Sequence, residues 1–186
     1  MRQSILDEVR DAEYFSIIVD ETKDISKTEM ISLILRYYSC QNGIQEAFLE
    51  YRPAVGLTAD SLSKIILKFI QDCGLDLNNL VGQGYDGAAV MSGTASGVQK
   101  ILHDKTPYGF YVHCSARRLN LCFKAVPEAE DFFAVMERLY CFLSTSVVHR
   151  LWIAKQKEIY SKEQPLELQQ LSDTRWSCRV SIARLF

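Results

Sequence analysis

Two aspartates stand in settings where a carboxylate could do chemistry. Asp20 follows the compact apolar run Tyr14–Val19, and Asp86 follows Leu80–Tyr85, with Gly82, Gly84 and Gly87 around it. Two carboxylates brought together repel each other unless a cation sits between them. Mg2+ and Mn2+ suit all-oxygen ligands that leave positions open for water and phosphate. Two such ions about 3.5–4 Å apart can activate a water and stabilise the leaving oxygen of a phosphodiester. A plainer alternative stays open, because an Asp after a strand often only caps a turn or helix. The glycines permit close backbone approach or positive φ, but a Gly-rich turn does not by itself account for their company with Asp86.

The aspartates can meet only if their strands are neighbours, so the order of elements decides. Residues 1–12 read as a short helix with Ile5, Leu6 and Val9 on one face. Tyr14–Val19 is a β-branched run that reads as a buried strand, ending at the polar turn Asp20–Asp24. Met30–Tyr38 and Ile44–Tyr51 read as two more strands, joined by Gln41-Asn42-Gly43 with the Asn-Gly signature of a tight hairpin. Thr58 can cap a helix over Ala59–Asp72, which Cys73-Gly74 ends. A strand from Leu80 into the loop at Gly87, a helix over Gly97–His103 and a strand over Phe110–Cys114 follow. Beyond Leu119 the pattern is helical, over Glu128–Leu143 and Val147–Tyr160. The order βββαβαβ predicts an α/β fold with a mixed five-stranded sheet, its first three strands antiparallel and the later ones parallel. That is the RNase H-like order, and it sets the first and fourth strands side by side.

Composition limits the alternatives. With 48% hydrophobic and 24% charged residues, the chain reads as globular rather than disordered. No apolar run approaches the roughly 18–20 residues of a membrane span. Asp7, Glu8, Asp11 and Glu13 interrupt any signal-like start, so an intracellular location is expected. None of the six cysteines forms a C-x-x-C pair, and they read as reduced thiols, mostly in core or strand, Cys114 among them. The net charge of −2 weighs against strong autonomous nucleic-acid binding. Residues 1–99 carry 8 Lys and Arg against 14 Asp and Glu, whereas residues 100–186 carry 13 against 9, so phosphate contacts are expected in the later part.

The strings FSIIVDET, VGQGYDGAAVMSG, VHCSARRLNL and DTRW occur in this order. Together they resemble the hobo/Activator-type (hAT) transposases, above all the transposon-derived zinc-finger MYM-type group, over about residues 10–186. The resemblance implies that Asp20 and Asp86 match the first two acids of the family's DDE triad and would hold Mg2+ or Mn2+. The third acid, a glutamate, follows a long helical insertion in the family, and no residue of this chain is assigned to it. The implied organisation is an incomplete RNase H-like core over residues 1–125 and the start of the helical insertion over 126–186.

Cys114-Ser115-Ala116-Arg117 falls on the family's C-x-x-H motif, with Arg117 where the family has His. His113, one residue before the cysteine, should face the other side of its strand and is a poor substitute. Arg117 and Arg118 could touch phosphate or form a solvated pair. Arg175-Trp176 matches a pair near the DNA hairpin, where the indole stacks on a flipped base for about 1–3 kcal/mol; a structural Trp is the alternative. The resemblance also implies DNA as partner of the full-length parent, a zinc-finger or BED-type segment before residue 1, oligomerisation through a region outside this chain, and a nuclear location.

Three functions compete. One is a piece of a metal-dependent DNA cleavage and strand-transfer enzyme. Another is a domesticated nucleic-acid-binding or protein-interaction scaffold without catalysis. The last is an unrelated α/β enzyme in which both aspartates only cap turns. The unassigned third acid, Arg117 and the acidic net charge favour a chain that does not cut DNA by itself.

Overall fold

The computed structural model describes residues 2–23, 26, 28–106, 108–160, 164–167, 170–171 and 176–183. Its elements run α1 (Arg2–Asp11), β1 (Phe15–Lys23), β2 (Glu29–Ser39), β3 (Gly43–Pro53), α2 (Ala59–Asp72), β4 (Leu80–Tyr85), α3 (Ala89–Ser92), α4 (Val98–His103) and β5 (Phe110–His113). Helices α5 (Ser115–Lys124), α6 (Pro127–Leu143), α7 (Ser146–Ile159) and α8 (Trp176–Ala183) follow. The sheet order is β3-β2-β1-β4-β5. β1–β2 and β2–β3 are antiparallel, while β1–β4 and β4–β5 are parallel. This is the mixed RNase H-like sheet that the element order predicts.

Alternation along the strands decides which face is covered. Phe15, Ile17 and Val19 of β1 and Ile31, Leu33, Leu35 and Tyr37 of β2 are buried, every second residue. Against them pack Leu6 and Val9 of α1, Leu62, Ile66, Phe69 and Ile70 of α2, and Val98 and Leu102 of α4. Thr58 caps α2, its side-chain oxygen accepting from Ser61 N at 3.3 Å. One buried polar group pins β4 to its surroundings: Gln83 Nε2 donates to Gly109 O at 2.7 Å and to Gln99 O at 3.1 Å. Ile34 pairs with Phe48, Tyr38 with Ile44 and Gly84 with Val112, and Tyr38, Ile44, Phe48 and Val112 are exposed.

Three expectations change. β1 does not stop at Val19. Its polar end, Asp20 to Lys23, stays in the ladder opposite Ser32 to Glu29, so Asp20 lies within a strand and not in a turn. The backbone bonds of the hairpin outlast the apolar alternation, and only the latter is readable from composition. The cysteines are not core residues as a group: Cys73 is buried, but Cys40, Cys114, Cys122 and Cys141 are exposed. Cys114 lies just past β5, where its backbone N–H still donates to Tyr85 O at 2.9 Å while the residue is exposed. Finally, the helical part begins at Ser115, earlier than the pattern beyond Leu119 suggested.

The chain divides into two compact units, Met1–Cys114 and Ser115–Phe186, so α5 belongs with the later helices. In the second unit Arg179 of α8 lies over the Phe133 ring of α6 at 4.5 Å, and its Nε donates to Asn120 Oδ1 of α5 at 2.8 Å. Among the described residues no helix is long and apolar enough to cross a membrane.

Candidate metal-binding site

The parallel β1–β4 ladder positions the two aspartates. Its last pairs are Ser16 with Gly82, Ile17 with Gln83 and Ile18 with Gly84. Asp20 and Asp86 each lie two residues beyond the Ile18–Gly84 pair, and neighbouring strands run about 4.8 Å apart. β1 approaches β4 closely because Gly82 has no side chain: a Cβ there would come within 2.6 Å of Ser16 Oγ. The fold therefore brings both acids to the C-terminal end of the parallel pair.

Their surroundings differ. Asp20 is exposed, and its backbone carbonyl accepts from Ser32 Oγ at 3.1 Å. Asp86 is partly buried, and its Oδ1 accepts from Ala88 N at 3.0 Å. The turn-capping role that was left open for Asp86 is thus present, and it uses one carboxylate oxygen.

A third acid, not singled out in the sequence, belongs to the same end of the sheet. The Glu21 carboxyl is pushed above the ordinary carboxylate range, first by burial and then by the negative charges of Asp86, Glu29 and Asp20. The acids that act on Glu21 come from three strand ends, those of β1, β2 and β4. Their adjacency in the string Asp20-Glu21 was the available signal. A donor set of carboxylate oxygens in a negative field suits Mg2+ or Mn2+. Asp20 and Asp86 are the residues that would hold such a cation, with open positions left for water or phosphate. Among the described residues no three His, Cys, Asp or Glu side chains group closely enough to hold a metal ion.

The turn that carries Asp86 is backed by β5. Tyr111 Oη donates to Asp86 O at 3.2 Å, and the Tyr111 ring lies between Tyr85 at 5.9 Å and His113 at 6.4 Å, centroid to centroid. Burial, and then the Asp86 charge, raise the Tyr111 phenol, which keeps its proton for donation. Burial also pushes the Tyr85 phenol up. Gly87 sits against the His113 ring, where a Cβ would come 2.5 Å from Cε1. No glycine of this string has positive φ, so close approach is what the site uses.

The remaining candidates belong elsewhere. Arg117 and Arg118 lie on α5 in the second unit, Arg117 partly buried and Arg118 exposed. Arg175 lies outside the described residues, as does the side chain of Trp176, whose backbone opens α8.

Residues 1–97, more than half of the chain, match the family described as "DUF4371: ZMYM1/FAM200, RNase-like domain". The chain belongs to that family. Its relatives include the human protein named "52 kDa repressor of the inhibitor of the protein kinase", 26% identical over 185 residues. The mouse protein of the same name is also 26% identical. Each alignment covers 96% of this chain but 24% of the relative, so the chain spans about a quarter of the length of these proteins. Membership in this transposase-derived, RNase-like family agrees with the hAT resemblance and with the mixed sheet.

Proposed function

We propose that this chain is the front part of a hAT-type transposase catalytic core that has kept its carboxylate pair and lost autonomous DNA cleavage. The observation that carries this is the parallel pairing of β1 with β4, which delivers Asp20 and Asp86 to one sheet end. When bound there, Mg2+ or Mn2+ would supply a Lewis acid for a phosphodiester oxygen. The chain's own part is to hold the ion through Asp20 and Asp86 and to keep Asp86 braced by Ala88 N–H.

The present role is that of a nuclear domain in a DNA- or protein-binding scaffold. The word "repressor" in the relatives' name supports a nuclear setting. The basic excess in residues 100–186, including Arg117 and Arg118, supports phosphate contact through the helical part. Oligomerisation would be a property of the full-length parent.

Incubation of the purified chain with supercoiled plasmid and Mn2+ tests the loss of cleavage. The expected result is no nicking above a metal-only control. Nicking that disappears in Asp86→Ala would show that catalysis survives in this chain.

A further inference from the structure

Asp86 leaves the sheet just beyond the last β4–β5 pair, Tyr85 with His113, so the ladder does not fix its backbone. Three contacts from β5 and its end do so. The carbonyl before it, on Tyr85, accepts from Cys114 N at 2.9 Å. Its own carbonyl accepts from Tyr111 Oη at 3.2 Å. The residue after it, Gly87, lies so close to His113 that a Cβ would meet Cε1 at 2.5 Å and Nε2 at 2.7 Å. The His113 ring is itself held by the Tyr111 ring, and its Nε2 is buried with no hydrogen-bond partner among the described residues. A buried polar atom without a partner carries a cost, and a hydrogen bond at Nε2 does not account for a histidine here. Its shape against Gly87 does.

We infer that Tyr111 and His113 are positioning residues for the Asp86 carboxylate, Tyr111 by its hydrogen bond to the Asp86 carbonyl and His113 by setting the depth of the Gly87 turn. The inference deepens the cation-pair reading of Asp20 and Asp86 and rests on it. Partners of metal-holding groups commonly contribute about 10–100-fold in affinity. Small displacements have large effects because a carboxylate must meet both the cation and its own backbone brace.

The test uses the whole chain, with the Asp86 side-chain carboxyl 13C resonance, the Ala88 amide resonance and Mn2+ affinity as readouts. Tyr111→Phe removes the donor and keeps the ring. It should move both resonances and weaken Mn2+ binding by about ten-fold. Gly87→Ala should do the same, and the double variant Gly87→Ala/His113→Ala should bring both readouts back towards wild type by making room for the new methyl. A change in melting temperature alone would not reproduce this rescue. Unmoved resonances in Tyr111→Phe overturn the positioning role, whether or not Mn2+ binds. Resonances that move and are rescued, in a wild type that binds no Mn2+, support positioning and remove the cation-pair reading instead.

Discussion

At the scale of residues, the site is a small region of crowded negative charge, and Glu21 reports on it. Glu21 is exposed as a residue, but partial desolvation of its carboxyl, and then the fields of Asp86, Glu29 and Asp20, hold its folded pKa above the ordinary value of 4.5. The folded protein therefore binds this proton more tightly than the unfolded chain does. Stability falls as pH rises from about 4.5 through the raised folded value, and the penalty is fully present above it. Glu21→Gln should raise the melting temperature at pH 7 and make no difference below about pH 4; thermal denaturation across this range measures it. A lower melting temperature for Glu21→Gln at pH 7 would mean that the charge is compensated.

The shared sheet end of Asp20 and Asp86 was legible from the strand order, and the glycines around Asp86 marked a close approach. Glu21 and His113 were visible beside Asp20 and Cys114, but the neighbours that act on them come from other strands and were not. Cys114 was misread as a core residue because a short strand ended one position before it.

At the scale of elements, regular alternation made the fold readable. The α2 boundaries were accessible because Thr58 and Cys73-Gly74 are explicit start and stop signals, and the helix runs Ala59–Asp72 as they imply. The polar half of β1 was not accessible, since its ladder bonds belong to the backbone and its side chains follow no apolar alternation. These elements differ in what they contribute to stability. Ile66 is fully buried between α2 and the sheet, and Ile66→Ala should cost about 2–5 kcal/mol in denaturant unfolding. Thr58→Ala, which removes one cap oxygen, should cost about 1 kcal/mol. A cap effect equal to the core effect would contradict this ranking.

At the scale of the whole molecule, the chain divides into two compact units. All residues of the main buried core, Leu6 to Leu102, lie in the first, together with all five strands. Residues 1–114 expressed alone should therefore show a cooperative thermal transition followed by circular dichroism; a non-cooperative melt would mean that the helices from Ser115 onward complete the fold. Charge divides similarly, with the acids of the first 99 residues contrasting with the basic excess that follows. A cation site would lie in the acidic part and phosphate contacts in the basic part. That division of labour depends on whether Asp20 and Asp86 act together. Calorimetric titration of the chain with Mn2+, repeated on Asp20→Asn and Asp86→Asn, measures this most directly. Weak binding by wild type that is lost in both variants is the predicted result; equal affinity in wild type and either variant would contradict it.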